Sequence, residues 1–478
     1  MEESYGFLSV LPPVLAIILA IRTKQVYVSL LFGIWLGWLI IANYNPLEGS
    51  LQTVEALVAV FDDPGNTRTI MFCALVGALI VFIQRTGGVL GFIHWVEARV
   101  QQYESSNTVQ GRVLVQLFAW LTGILVFVES SISVLTVGTL FRPIFDKMKI
   151  SREKLAYIAD SSSAPTCILI PFNAWGAFIM GLLAAQGFSD PFATLFKSII
   201  YNYYPIFALL FVALIIWLQR DFGPMKKAEK RVKGGKLLRE GAQPLMDEDI
   251  VEMEPLEGVK HKARNMIIPV SVMTGFMPVA LYITGEGNIT QGSGSTAVFW
   301  SVMLSIFVAA LMYRLQKLMS VKDIMDVILK GAGGMISLAI LMMLAFSLGA
   351  TCKQLGTGQY VATLTSEFLH VGLVPFLVFA VSGFVAFSTG TSFGTFALMI
   401  PLAVPFVETL GVHLPLVVSA VLGGGVFGDH CSPISDTTLV SSMATASDHI
   451  DHVRTQLPYA MTAAGIAGGF YLIAGFVL

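Results

Sequence analysis

The stretch GGGVFGDHCSPISDTTLVSS, Gly423 to Ser442, decides how the chain folds. It lies inside a hydrophobic span, yet it carries the carboxylates of Asp429 and Asp436 and a run of hydroxyl groups. Ionisable groups at membrane depth cost at least about 2 kcal/mol each and are usually kept only where they line a cavity or an ion path. Pro433 cannot continue a helix from the preceding turn, and Ser432 is a suitable N-cap. We therefore predict a helix that breaks near Asp429, restarts at Pro433 and forms part of a transport site.

The composition outside this stretch predicts a multi-pass membrane protein. Of the 478 residues, 55% are hydrophobic and 13% are charged, and the mean hydropathy is +0.74. Apolar runs of about 20 residues, the length that crosses a bilayer, recur along the chain. This excludes an ordinary soluble domain and predicts an all-α fold of membrane-spanning helices. Four cysteines are scattered singly, which argues against a disulfide or metal framework; they are Cys73, Cys167, Cys352 and Cys431.

The first half of the chain contains two irregular apolar stretches. One, about 113–141, has Glu129 at its middle and Lys or Arg near both ends. Cytoplasmic loops collect Lys and Arg, so this pattern predicts a re-entrant hairpin that enters from the cytoplasm with its tip at Glu129. The other stretch, about 155–185, is too long for one straight crossing and contains Asp160 and Pro165. We interpret it as a second broken helix.

The second half repeats this order. A hairpin over about 374–406 is predicted with a tip at Ser388–Ser392, and the broken helix that contains Asp429 covers about 416–443. Residues 1–218 and 265–478 are nearly equal in length, which predicts two repeats of five spans plus one hairpin each. An odd number of crossings makes such repeats inverted in the membrane. The charged segment between them, 219–264, is interpreted as a cytoplasmic linker.

The hairpin tips and helix breaks are predicted to meet around one ion site. Sodium is a hard cation that prefers oxygen ligands, and these segments supply hydroxyl, carbonyl and carboxylate oxygens. The predicted repeat pairs Asp429 with Asp160, and we take these two aspartates as the sodium ligands. Two simpler explanations stay open: each hydroxyl can bond back to its own helix, and Asp436 can simply complement a helix dipole. The candidate ion- or substrate-binding residues are Glu129, Ser130, Asp160, Ser161, Ser388, Thr389, Thr391, Asp429, Ser432 and Asp436.

The histidines allow a different class of function. His430 titrates near neutral pH if exposed, but it is equally well explained as a packed histidine. The run DHIDH, 448–452, resembles a metal-binding motif, although a solvated cytoplasmic turn before the last span explains it better. A membrane-embedded metal hydrolase would need about three protein ligands, and only His430 stands near the predicted core. We therefore expect a transporter with no cofactor and no covalent chemistry.

Three stretches also carry a resemblance to a known family. They are GDHCSPISDTT (Gly428 to Thr438), FSTGTSFGT (Phe387 to Thr395), and SREKLAYIAD with SSSAP (Ser151 to Pro165). Together they resemble the NhaC-type sodium/proton antiporters of the ion transporter superfamily. The resemblance implies a transport domain that alternates between inward-facing and outward-facing states, usually in a homodimer. Carried over by position, it places Asp160, Asp429, Ser432, Asp436 and the Ser388–Ser392 tip in the transport core.

One feature departs from that family pattern. An acidic pair is frequent at the first hairpin tip of such proteins, whereas here Glu129 is followed by Ser130 and Ser131. Some relatives exchange organic acids or amino acids. The sequence therefore predicts a secondary transporter of the bacterial inner membrane that exchanges sodium for protons, with coupled transport of a small organic acid or amino acid as the alternative.

Overall fold

The computed structural model describes residues 5–23, 25–95, 109–127, 129–188, 190–244, 259–357, 360 and 370–478. Within these ranges the regular structure is helical, apart from an isolated β-bridge between Pro244 and Asp448. The helices of the first half are α1 (Leu11–Thr23), α2 (Val26–Ile41), α3 (Pro46–Ala59), α4 (Pro64–Arg85), α5 (Val109–Leu125), α6 (Ser130–Lys147), α7 (Arg152–Leu169), α8 (Ala174–Ala185), α9 (Pro191–Ser198), α10 (Tyr203–Leu218) and α11 (Gly223–Lys233). Those of the second half are α12 (Arg264–Thr284), α13 (Gly294–Leu315), α14 (Val321–Gly334), α15 (Ile336–Gln354), α16 (Val374–Thr389), α17 (Ser392–Leu410), α18 (Leu414–Cys431), α19 (Asp436–Thr445) and α20 (His449–Val477).

These helices confirm an all-α membrane protein. In the part of the chain that is described, nine helices are long and apolar enough to cross a bilayer, and the bent pair α7 and α8 makes a tenth candidate. Many large apolar side chains lie on the outside, for example Phe307 and Leu315, which are 64% and 74% exposed. An outer surface of this kind suits contact with lipid acyl chains.

Each half contains a helical hairpin followed by a broken helix. The hairpins are α5 with α6 and α16 with α17, and the broken helices are α7 with α8 and α18 with α19. The helix before each break has 18 residues, and four residues separate it from the second helix of the pair. The starts of these helices lie 262 residues apart, at 152 and 414 and again at 174 and 436. These matching lengths support an internal repeat; its inverted orientation in the membrane stays a prediction.

The structure corrects the predicted register of this repeat. At a spacing of 262 residues, Pro171 corresponds to Pro433 and Ser130 corresponds to Ser392. Asp429 then corresponds to Cys167, so the expected pairing of Asp160 with Asp429 through the repeat is wrong. The N-caps agree with the new register, because Glu129 and Thr391 each accept a hydrogen bond from the backbone N–H three residues on.

The positions of the two breaks also differ from the prediction. In the first half, α7 continues through Asp160 and Pro165, and the chain bends by 43° only between α7 and α8, at residues 170–173. Proline is tolerated inside a packed membrane helix because neighbouring groups compensate for its missing N–H. In the second half, the helix restarts at Asp436, where Ser435 is the N-cap, and not at Pro433.

Each hairpin tip lies against the break of the helix that follows it. The Ser432 hydroxyl, at the second break, donates to the carbonyl of Phe387 at 2.7 Å. In the first half, the Asn173 side-chain amide donates to the carbonyl of Phe127 at 2.9 Å, from break to tip. Irregular backbone inside a membrane protein needs such partners for its polar groups. In each half, the tip-to-break contact therefore holds four helix ends together.

The beginning of the charged linker is folded onto the helices. In α11, Glu229 is 5% exposed, forms an ion pair with Arg112 at 3.1 Å and accepts the Ser151 hydroxyl at 2.8 Å. Farther along, Arg239 pairs with Asp451 at 2.9 Å. The linker up to residue 244 thus packs against the start of α20, while residues 245–258 lie outside the described ranges.

Asp448, the N-cap of α20, belongs to the same contact. Burial raises the pKa of its carboxyl, but the backbone N–H groups of Gln243 and Asp451 and the Arg239 guanidinium outweigh that effect and hold the pKa below its usual range. The Gln243 N–H bonds the Asp448 carboxylate at 2.8 Å. The linker therefore contacts the negatively charged Asp448 carboxylate at the N-terminus of α20.

Glycines allow α16 and α18 to pack with their backbones in contact. A Cβ atom added at Gly428 would overlap the Gly383 carbonyl oxygen and lie 2.6 Å from the Phe387 amide nitrogen. One turn earlier, a Cβ at Gly424 would meet the Phe379 carbonyl oxygen. Small residues four apart commonly mark such close helix crossings in membranes. This packing fixes the distance between the hairpin tip and the Asp429 end of α18.

We expect Gly428→Ala to separate these two helices and to reduce transport strongly. Backbone atoms, unlike flexible side-chain ends, cannot move aside, and overpacking of this kind typically costs about 1 to 3 kcal/mol. Gly465→Ala is the matched control, because that glycine also lies in a helix and has no atom within 4 Å of an added Cβ. Thermal stability in detergent and transport in liposomes measure both effects. Equal stability and activity of the two variants would contradict the close-packing account.

Candidate functional site

Asp429 lies in the last turn of α18, beside the tip of the second hairpin. Its side chain is 3% exposed, and its Oδ2 accepts the Ser392 hydroxyl at 2.7 Å. The same hydroxyl lies 3.3 Å from the Gly425 carbonyl oxygen. Among the described residues, the other carboxylate oxygen, Oδ1, has no hydrogen-bond partner. A buried, unpaired charge is costly, so this carboxylate needs a proton or a cation.

Asp160 lies at the middle of α7 and is completely buried. Its Oδ2 accepts the Gln456 side-chain amide at 2.7 Å and the Thr438 hydroxyl at 3.3 Å. The Nε2 atoms of His430 and His452 each lie 3.8 Å from the same oxygen. Its Oδ1, like that of Asp429, has no hydrogen-bond partner among the described residues. Several possible donors surround its Oδ2, which suits a carboxylate that exchanges a proton. Asp429 differs from it in having one hydrogen-bond donor, Ser392, at its Oδ2 and in lying at a helix end beside the hairpin tip, and it stays the candidate cation ligand.

His430 follows Asp429 directly in the sequence, and its side chain lies close to Asp160 in the core. Its Nε2 lies 3.0 Å from the Ser161 hydroxyl, and its Nδ1 lies 2.8 Å from the Tyr204 hydroxyl. Both partners can donate or accept, so a neutral imidazole is fully bonded in either tautomer. The geometry thus agrees with the simpler interpretation of His430 as a packed histidine, one that also orients Ser161.

The last helix supplies residues that sequence reasoning missed. His452 and Gln456 of α20 are 0% and 1% exposed, and the His452 Nε2 lies 2.8 Å from the Gln456 Oε1. We expected the DHIDH run to be a solvated turn, but His452 lies in the core next to Asp160. A sequence signal was present: His449, His452 and Gln456 recur at a spacing of three and four residues, which places them on one face of a helix.

Several predicted site residues instead stabilise local structure. Glu129 caps α6: its carboxylate accepts the Ile132 N–H at 3.0 Å and the hydroxyls of Ser130 and Ser131 at 3.3 Å each. In the second tip, three hydroxyl residues likewise serve their own helices. Ser388 and Thr389 donate to carbonyls four residues back, and Thr391 caps α17. Self-bonding, the simpler explanation for these hydroxyls, fits their geometry.

The remaining two candidates border the break. Ser432 links the break to the hairpin tip through the contact with Phe387, which makes it a positioning residue. Asp436 is the first residue of α19, where its carboxylate accepts the Thr437 N–H at 2.8 Å, and its side chain is exposed. This position agrees with the simpler explanation, in which the Asp436 carboxylate complements the helix dipole. An exposed carboxylate one helix break away from the buried Asp429 also attracts cations to that break.

The described histidines and carboxylates do not form a metal centre of the zinc type. In the described ranges, no group of three or more His, Cys, Asp or Glu side chains is arranged to hold a metal ion. The four cysteines are buried and unpaired. The arrangement instead offers two buried aspartates, each with an Oδ1 that has no hydrogen-bond partner among the described residues, joined through a network of hydroxyl and imidazole groups. Such a network can bind a hard cation and move protons.

Comparison with known proteins gives the relatives of this chain. The family model described as the Na+/H+ antiporter family matches residues 167–476. A protein of uncharacterised function from Haemophilus influenzae is 31% identical over 500 aligned positions, covering 100% of this chain and 92% of that protein. A malate-2H(+)/Na(+)-lactate antiporter of Bacillus subtilis is 29% identical over 182 positions, covering 37% of this chain and 38% of that protein.

A solved structure shares the fold. The YdaH transporter of Alcanivorax borkumensis superposes with a TM-score of 0.57 at 13% identity, over 90% of this chain and 88% of that one. At this identity the likeness concerns the fold alone.

Proposed function

The chain belongs to the Na+/H+ antiporter family, and from that premise we propose that it exchanges sodium for protons across the bacterial inner membrane. It is a multi-pass membrane transporter and not an enzyme. The proposal concerns the ions that it carries, the residues that bind them and the membrane in which it works.

The observation that carries the proposal is the state of Asp429. Its carboxylate is buried at a helix end, held through Oδ2 by Ser392, and has Oδ1 without a partner among the described residues. We propose that sodium bound at Oδ1 takes its further ligands from hydroxyl and carbonyl oxygens of the hairpin tip and the helix break. A proton bound at the same oxygen also neutralises the charge. One carboxylate thus accepts either ion, but it is costly to move while it is empty.

This alternation couples the two ion movements. With sodium bound, Asp429 is neutralised and the transport core can change the side to which it opens. After sodium leaves, the empty carboxylate hinders the return until a proton binds. Sodium and protons therefore move in opposite directions. Asp160 lies next to this centre among donors, and we assign to it the exchange of protons with the rest of the core.

A second candidate function is exchange of a small organic acid together with these ions. It is favoured by the similarity to a relative whose name includes malate and lactate as well as sodium and protons. At the first hairpin tip, Glu129 is followed by two serines and not by a second acidic residue, which lowers the negative charge that would repel an organic acid. On this alternative, sodium still binds at Asp429, and the organic acid binds beside it.

Transport in liposomes separates the two candidates. The purified protein is reconstituted with an imposed pH gradient, and sodium, lithium, potassium, malate and lactate are added in turn while proton movement is followed. Proton movement on addition of sodium alone supports sodium/proton exchange. A response that requires malate or lactate supports the second candidate, and no response to any of them rejects both.

The inverted repeat predicts opposite access to the two hairpin tips. Because Gly390 has a φ of +69° and packs against Ile434, a cysteine there would be strained; Ser388→Cys is the better probe of the second tip. Ser131→Cys probes the first tip. In a background without the four native cysteines, we expect an impermeant thiol reagent to reach position 131 only from the cytoplasm and position 388 only from outside. Labelling of both positions from one side would contradict the inverted arrangement.

A further inference from the structure

A chain of hydrogen-bonding groups leads from the buried Asp160 to the protein surface. The Nδ1 atoms of His452 and His449 each lie 3.0 Å from the hydroxyl oxygen of Ser442. The Nε2 of His449 lies 2.7 Å from the Pro433 carbonyl oxygen, at the exposed side of the break. His449 is half-buried, whereas His452 is completely buried. Two imidazoles thus share one hydroxyl between the surface and the core.

The acceptors around these rings fix where their protons lie. The Gln456 amide nitrogen bonds two acceptors, the Asp160 carboxylate and the His430 carbonyl, so its oxygen must face His452. The His452 Nε2 therefore carries a proton. The His449 Nε2 also carries one, because it faces the carbonyl oxygen of Pro433. With both Nε2 atoms protonated, neutral rings would present two bare Nδ1 atoms to Ser442.

One hydroxyl cannot satisfy both of those nitrogens. Ser442 has a single proton, and its oxygen also lies 2.9 Å from the Thr438 carbonyl oxygen. At least one further proton completes the network: one ring then donates from Nδ1 to the Ser442 oxygen, and the hydroxyl donates to the other ring. The geometry therefore favours a proton held jointly by His449 and His452, which is the arrangement that lets a proton pass between them.

We propose that His449, Ser442 and His452 form a proton path between the surface beside Pro433 and Asp160. This inference rests on the proposed sodium/proton exchange and names the route that its protons take. It assigns a function to three residues outside the Asp429 site.

Each step of the path balances. The Nδ1 proton of charged His449 moves to the Ser442 oxygen, while the Ser442 proton moves to the His452 Nδ1. His452 then gives its Nε2 proton to the Asp160 Oδ2, which lies 3.8 Å away and needs to approach by about 1 Å to form a hydrogen bond. Both rings end neutral, the hydroxyl is restored, and Asp160 is protonated, while the proton of His452 now lies on Nδ1 and its Nε2 is bare until Asp160 returns a proton to it. Release of a proton from Asp160 follows the same steps in reverse.

The groups around the path are consistent with this role. Asp160 of α7 and His430 of α18 face His452 in the core. Asp448 and Asp451 lie on α20 beside His449, where Arg239 and Gln243 of the linker contact them. The linker thus borders the outer end of the path, and a cytoplasmic linker would make this the cytoplasmic end. Half-buried His449 exchanges its protons with water there.

Removing the hydroxyl tests the path with little change in volume. We expect Ser442→Ala to slow sodium-driven proton movement in liposomes by about tenfold or more, the scale of a lost proton-transfer group. Exchange of labelled for unlabelled sodium at constant pH needs no net proton transfer and should stay within about twofold of the wild type. His449→Ala should show the same split, and added imidazole should restore its proton movement. His413→Gln is the matched control, because His413 lies at the N-terminus of α18, at the opposite end of that helix from His430. It should affect neither rate.

The outcomes separate this inference from the proposed function. Normal proton movement in Ser442→Ala overturns the path alone. An equal loss of both rates, without rescue of His449→Ala by imidazole, shows a purely structural role and also overturns the path. Absence of sodium-driven proton movement in the wild type overturns the proposed function and the path with it.

Discussion

Asp429→Asn is expected to abolish sodium-driven proton movement while the protein stays folded in the membrane. Asparagine has nearly the same shape and still accepts the Ser392 hydroxyl, so the contact between α17 and α18 is kept. It supplies no negative charge for sodium and no carboxylate for a proton. Since removing one partner of a buried charge pair costs about 3 to 5 kcal/mol, we expect sodium binding to fall by at least about a hundredfold.

The comparison for this variant is Asp326→Asn, on the exposed face of α14. Both proteins are reconstituted at equal amounts, and proton movement is recorded after addition of sodium. The control should match the wild type. Normal exchange by Asp429→Asn would show that another carboxylate carries the ions, with the exposed Asp436 the next residue to test.

Asp160→Asn is expected to have the second-largest effect. The amide can still meet Gln456 and Thr438, so the buried packing is kept, but it can no longer take a proton from His452. We expect sodium-driven proton movement to fall by about tenfold or more. Sodium binding, which we assign to Asp429, should change by no more than about threefold.

Ser163→Ala controls for disturbance of α7. The Ser163 hydroxyl is buried in the same helix and donates only to the carbonyl of Asp160 at 2.9 Å among the contacts described. Ser163→Ala should therefore leave both sodium-driven proton movement and sodium binding nearly unchanged. A loss of sodium binding in Asp160→Asn as large as in Asp429→Asn would mean that both aspartates hold the cation, as the sequence first indicated.

The membrane fold was predictable because its signals are local. Bilayer thickness sets the length of an apolar run, so the spans could be found from composition alone. The predicted hairpin over about 374–406 is observed as helices over 374–410, and the broken helix predicted over about 416–443 is observed over 414–445. Pro433 correctly marked a break, because it has no N–H with which to continue α18.

The first break was misplaced because local chemistry does not decide it. Pro165 and the serines before it have the composition of a helix break, yet tight packing of α7 keeps them helical. The actual break, at 170–173, contains Pro171 followed by the N-cap Asn173, which holds the hairpin tip through Phe127. Choosing between two prolines six residues apart requires knowing which one meets the tip.

The part of the site that we propose to exchange protons depends on contacts between distant segments. Gln456 reaches Asp160 across 296 residues of sequence, and nothing in the DHIDH run itself distinguishes a buried histidine from a solvated one. Asp429, in contrast, was found from the sequence because a charge inside an apolar span is unusual wherever its partners lie. Its role as the ion-binding residue stays a prediction.

The central claim is that one carboxylate binds either sodium or a proton. It is tested most directly by the apparent sodium affinity of the wild-type protein in liposomes, measured at several pH values without a pH gradient. Competition for one carboxylate predicts that the affinity weakens as the pH falls, approaching about tenfold per pH unit once the proton occupies the site. A sodium affinity that stays constant while only the maximal rate changes with pH would contradict the claim.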